Sequence, residues 1–315
     1  MKIRIIFIVV VVLALLAGVP WYGSASIVQF GIDALLTATL AQGWNLIGGY
    51  AGYPSFGNSV FYGLGTYGTA IAMAQFGLPF WAGLVVGGIL AVLCALLLGI
   101  PILRLRGPYF AIATLGLAAA MGAVIANLGI AGRNNGLILP LFRGDALFYE
   151  LALGLLALTT LMIYLVSESR FGAGLIAIRE NEDAAAVMGV NTTLYKVMAL
   201  ALSGFVSALA GGIHAYWITF IDPGSAFDAT LNVKMVIMAV FGGPGTVLGP
   251  IIGAFLLSAI SEVLAAKIST VAGLFFGGVI VLAVVFMPKG LIDVGYGVRR
   301  LGLSYFVQNI RQNRL

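Results

Sequence analysis

From Ala34 to Leu103 the chain contains no Asp, Glu, Lys or Arg. A membrane-spanning helix takes about 20 mostly apolar residues, so this stretch alone holds about three spans. The remainder agrees. Of 315 residues, 61% are hydrophobic and only 9% are charged, where a soluble domain carries roughly a quarter charged. Mean hydropathy is +1.10. The sequence therefore specifies an all-α polytopic integral membrane protein.

Ten apolar segments follow, at about 5–19, 27–47, 55–76, 80–103, 109–130, 147–166, 197–217, 229–242, 247–264 and 270–287. An even count puts both termini on one side. Twelve of the sixteen Lys and Arg residues then share that side, including Lys2, Arg4, Arg104, Arg106, Arg170, Arg179 and Lys196. The opposite side receives Arg133, Arg143 and Lys267, while Lys234 sits in or near a span. By the positive-inside rule both termini are cytoplasmic. Segment 55–76 is rich in Gly, Ser, Thr and Asn, and 229–242 is short for a span. Each is either a full span or a re-entrant piece buried in protein, so the count is eight or ten.

Residues 1–290 form the transmembrane domain, with a long cytoplasmic connection at 167–196. Residues 291–315 form a cytoplasmic tail. There Leu303, Phe306, Val307 and Ile310 have the spacing of an interfacial amphipathic helix among arginines. Lys2, Arg4 and the apolar run from Ile5 to Val19 have the form of a signal peptide. The alternative, preferred here, is an uncleaved first span anchored by Trp21 and Tyr22.

The chemistry available is narrow. Cys94 is the only cysteine and His214 the only histidine, so no cysteine cluster or multi-histidine metal set exists. No G-x-x-x-x-G-K-[ST] loop occurs, and the chain has no such cradle for ATP phosphates. Three ionisable residues fall inside or near spans: Asp33, Lys234 and Glu262. Each reads first as a snorkelling or paired charge, and an ion-coupling role in a self-sufficient secondary transporter is the alternative. Gly and Pro interrupt the apolar pattern at Gly48–Gly57 and again at Gly242–Pro250, either the kind of paired break that marks transporter sites or, for the second, an ordinary turn between spans. Tyr53, Ser55, Asn58 and Asn134 supply polar groups near Gly-rich breaks and are the candidate pathway residues.

One polar island remains, R-E-N-E-D-A-A-A-V-M-G-V-N-T-T, from Arg179 to Thr193. Asn181 to Met188 suits a short helix with Glu182 and Asp183 in its first turn, where negative charge complements the helix dipole. Gly189 provides the stop and Asn191 the next start.

Asp183-Ala184-Ala185-Ala186-Val187-Met188-Gly189 resembles the E-A-A-x-x-x-G signature of ABC importer permeases, with Asp for Glu. Asn45–Gly52, Arg106–Gly116, Ala177–Glu182 and Gly242–Pro250 resemble, in order, stretches of the branched-chain amino acid (LIV-type) permease family, and Arg106–Gly116 favours its M-type subunit. The resemblance implies a bacterial inner-membrane permease working with a second permease, two ATPase subunits that hold ATP and Mg, and a periplasmic substrate-binding protein. It assigns ATPase coupling to Asp183, Ala184, Ala185 and Gly189, and leaves this chain without a cofactor or catalytic role. At Ala131–Gly136 the chain departs from the family's T-G-G-x-N-G by placing Arg133 at a small-residue position. Relatives also carry urea, short amides and other amino acids.

Overall fold

A computed structural model describes residues 16–142, 144–267, 278 and 290–293. The first expected segment lies largely outside these residues. So do the last segment, apart from Gly278, and the amphipathic tail. Each of the eight segments between them contains a helix.

The described elements are α1 (Val19–Tyr22), α2 (Ala25–Asn45), α3 (Asn58–Ala74), α4 (Phe80–Ile102), α5 (Pro108–Asn127), α6 (Asp145–Ser167), α7 (Arg170–Glu180), α8 (Glu182–Val187), α9 (Thr192–Ile218), α10 (Pro223–Ala226), α11 (Ala229–Gly242) and α12 (Gly249–Lys267). A two-residue antiparallel pair joins β1 (Leu137–Ile138) to β2 (Phe220–Ile221). The breaks follow local chemistry. Proline occupies the first turn of α5 and α10, and Asn, Ser or Asp side chains cap α7, α8, α9, α10 and α11.

Among the described residues five helical stretches are long and apolar enough to cross a membrane: α4, α5, α6, α9 and the run Pro223–Gly242 that α10 and α11 make together. Their burial differs widely. In α4 the most apolar window has mean hydropathy 2.7 and is one-third buried, whereas in α9 the values are 1.7 and two-thirds. Lipid solvates apolar side chains, so a helix such as α4 can be oily without being buried in protein. The inner helices replace bulk with small and polar residues that pack or hydrogen-bond.

Helix α9 is the central post, flanked by α3 and α4, while α2 packs against α6, α9, α11 and α12. Glycine permits the closest approaches. A side chain at Gly65 would land on the Ala208 backbone of α9, and one at Gly211 on the Tyr62 carbonyl.

The segment joining α2 to α3 explains the odd composition around residue 55. Helix α2 ends in a π-helical turn, Leu46–Tyr50, and an irregular run then leads to Asn58. That run is mostly buried, so its polar groups need partners inside the protein. The Trp44 indole donates to the Ser55 carbonyl at 2.7 Å. The Phe56 N–H donates to the Thr114 hydroxyl at 3.0 Å. Helix α3 thus starts within the bundle, opposite Ser203 in mid-α9.

Candidate functional site

The polar island folds as its residues dictate. The Asn181 side chain accepts from the Ala184 N–H at 3.0 Å and opens α8 with Glu182 and Asp183 in its first turn. At the other end Gly189 takes φ +89°. Its N–H donates to the Ala186 carbonyl, and the next N–H, from Val190, donates to the Ala185 carbonyl, both at 3.0 Å. This pair of bonds is the Schellman stop, which requires the left-handed conformation glycine tolerates. Asn191 then accepts from the Leu194 N–H at 3.0 Å and starts α9.

Helix α8 is fastened to the bundle by its first turn. Glu182 accepts from the Lys196 ammonium at 2.6 Å and from the Tyr53 hydroxyl. Lys196 is buried, and it also donates to the Leu103 carbonyl at 3.0 Å while lying 4.5 Å from the centroid of the Tyr53 ring. Arg106 completes the cluster, 3.6 Å from Glu182 and doubly bonded to Asp183 at 2.9 and 3.2 Å. Burial alone would raise the Glu182 carboxyl, but bonds from Lys196 and Tyr53 outweigh it and hold the group below its ordinary value of 4.5. Burial, reinforced by the adjacent Glu182, pushes the Tyr53 phenol up, so it stays a donor. The Arg106 hydrogen bond draws Asp183 down.

A second fastening joins the two Gly-rich breaks. The Asn45 side chain accepts from the Gly245 N–H at 2.7 Å and donates to the Thr246 carbonyl at 2.9 Å. Arg179, at the end of α7, donates to the Gly49 carbonyl at 3.1 Å. Any side chain at Gly49 would strike Asn45 and the Gly245 backbone. The breaks at 48–57 and 242–250 are therefore one packed junction under the polar loop.

Of the coupling residues expected from sequence, Asp183, Ala184 and Gly189 are exposed on α8 and its stop, and Ala185 is buried against the bundle. The apolar tip comprises Val187 and Met188, 88% and 84% exposed. The four pathway candidates do not converge. Tyr53 belongs to the Glu182–Lys196 cluster. Ser55 lines a cavity of about 10 Å³, and Asn58 is sealed in, donating to Ser203 at 2.9 Å. Asn134 is exposed in the short turn preceding β1. The residues that sequence reasoning passed over are Lys196, Arg106 and Asn45. None of the three carried a local signal, because each meets its partners across the fold.

Asp33 and Lys234 line a separate cavity of about 230 Å³, together with Tyr62 and His214. The Tyr62 hydroxyl and His214 Nδ1 are 2.6 Å apart. Glu262 lies in the second half of α12.

Comparison with known proteins matches residues 26–284 to the family described as branched-chain amino acid transport system / permease component. The chain is 28% identical over 317 residues to the high-affinity branched-chain amino acid transport system permease protein LivM of Escherichia coli (strain K12), covering 90% of this chain and 74% of that protein. The LivM of Salmonella typhimurium is 27% identical, covering 87% and 72%. A 164-residue stretch, 45% of this chain and 47% of its counterpart, is 32% identical to the autoinducer 2 import system permease protein LsrC of Salmonella typhi. No solved structure matches. The chain is a multi-pass protein of the bacterial inner membrane and an ABC importer permease, and it belongs to the branched-chain amino acid transport system permease family.

Proposed function

We propose that this permease imports branched-chain or related amino acids as one of two permease chains, driven by two separate ATPase subunits carrying ATP and Mg and fed by a periplasmic binding protein. Both termini and α8 face the cytoplasm in this reading. The observation that carries it is α8 itself. It is a capped helix of six residues whose first turn is tied to the core through Glu182 and whose tip presents Val187 and Met188 to solvent. Such a part transmits force well: its base is fixed to α9, and its apolar tip fits a groove on a partner. When that groove moves, Glu182 and Lys196 carry the displacement into α9, the central post. The chain itself performs no chemistry on substrate in this mechanism.

The test is uptake of labelled leucine into vesicles carrying the whole assembly. Uptake is expected with ATP and the binding protein and absent without either. Uptake by this chain alone on a Na⁺ or H⁺ gradient would instead support a self-sufficient secondary transporter. ATP-driven uptake of a different solute, with none of leucine, isoleucine or valine, would keep the machine and replace the substrate.

A further inference from the structure

The cavity near the far end of the bundle has a composition that the clamp at α8 does not share. Asp33 is the ninth residue of α2, about 12 Å from its start. A charge at the bilayer centre costs about 2.5–3.5 kcal/mol when it faces lipid, so ionisable side chains within spans face water, protein or solute. Here Asp33 and Lys234, from α2 and α11, line the same cavity of about 230 Å³. Nearby polar groups are explained by local structure: Asp228 caps α11, and the Ser225 hydroxyl donates to Asp222 at 2.6 Å. Asp33 sits mid-helix, where a carboxylate serves no cap. Besides Asp33, Lys234, Asp228, Ser225, Thr230 and Thr37, the lining consists of an apolar wall, from Leu36, Leu40 and Leu231, and the hydrogen-bonded Tyr62–His214 pair.

With Asp228 engaged by Thr230, the lining presents the Asp33 carboxylate, the Lys234 ammonium and an aliphatic wall, a set complementary to a zwitterion with an aliphatic side chain. We infer that this cavity is a station on the translocation path where an α-amino acid places its ammonium at Asp33, its carboxylate at Lys234 and its side chain against Leu36, Leu40 and Leu231. Water's share of liquid volume is about 30 Å³, so the space accepts a solute several times larger. Tyr62–His214 adds a polar surface that the passing zwitterion can use, and it links α3 to α9, the post that α8 grips at its other end. This deepens the amino-acid reading above and rests on it.

The experiment uses the complete assembly in proteoliposomes with leucine as the probe. Asp33→Asn and Lys234→Met are expected to cut ATP-driven uptake by about tenfold or more, while binding-protein-stimulated ATP hydrolysis persists. Asp33→Glu, which keeps the charge, is expected to retain more uptake than Asp33→Asn. A second measurement does not depend on those variants folding. Thr37→Cys, on the cavity wall, is labelled with a hydrophilic thiol reagent in a Cys94→Ala background, and millimolar leucine is expected to slow the labelling. Wild-type uptake in both charge variants, or labelling indifferent to leucine, overturns the site. If the wild-type assembly imports no α-amino acid, the amino-acid reading itself fails, and the site falls with it.

Discussion

The two charged clusters of this protein lie near opposite ends of one helix and are built on opposite plans. Lys196 and His214 are separated by about 27 Å along α9. At the first end the charges are closed on one another: Lys196 is buried, with Glu182, Tyr53 and the Leu103 carbonyl all within 3.1 Å. At the second, Asp33 and Lys234 are exposed side chains on the wall of a cavity. A buried cluster holds parts together, and side chains on a cavity wall can be reached by a solute. The difference lies in access: the clamp is closed inside the protein, and the cavity adds an aliphatic wall within reach of a solute.

That contrast is best broken where the effect is largest. Removing the ammonium with Lys196→Met strands a mostly buried carboxylate, an error that costs about 3–5 kcal/mol in comparable pairs. Thermal unfolding of the purified permease is expected to show a large loss, with the double variant Glu182→Gln/Lys196→Met less destabilised than Lys196→Met alone. An unaffected melting temperature would mean the cluster does not fasten α8. Next in size is Gly189→Val, which forces a β-branched residue to φ +89° at a cost of about 1–3 kcal/mol. Nothing within 4 Å would obstruct the new side chain, so the loss comes from the backbone and is expected to fray the α8 stop while sparing the bundle.

Acid probes the same cluster more gently. Glu182 is ionised more readily in the folded protein than at its ordinary 4.5. Its contribution is therefore present above pH 4.5 and lost as pH falls through the lower folded value. Melting curves below pH 4.5 are expected to fall more steeply for wild type than for Glu182→Gln, and parallel curves would count against the pair. The smallest effect belongs to the cavity cluster. Asp33→Asn is expected to change stability by no more than about 0.5 kcal/mol. A large loss there would make Asp33 a structural residue like Lys196.

How much of this was legible beforehand depends on how local the determinant is. Helix α8 was readable because its start and stop are written in adjacent residues: Asn181, Glu182, Asp183, Gly189 and Asn191. The spans were readable because apolar composition sets them. What closes on Lys196 was not, since Tyr53 lies 143 residues away and topology treats every Lys and Arg as an interchangeable cytoplasmic charge. The same holds for Asn45, which meets Gly245 across two hundred residues. Tyr53 and Asn58 read as pathway groups because polar residues beside glycine breaks suggest a lining. In the fold the Tyr53 hydroxyl and the Asn58 amide NH₂ bond internally, which a sequence does not distinguish from bonds to a solute. Asp33 and Lys234 were each visible as ionisable residues in or near spans, but only the packing of α2 against α11 puts them in one cavity.

The coupling role of α8 faces its most direct test at the exposed tip, because Ala185 is packed inward and its substitution would confound docking with folding. Val187→Asp and Met188→Asp alter surface that touches nothing in this chain's core. Co-purification of the ATPase subunits with the detergent-solubilised permease is the measurement. The expected result is loss of the ATPase from both variants at an unchanged melting temperature. Both variants retaining the ATPase and importing leucine at the wild-type rate would contradict the assignment of α8 as the coupling element.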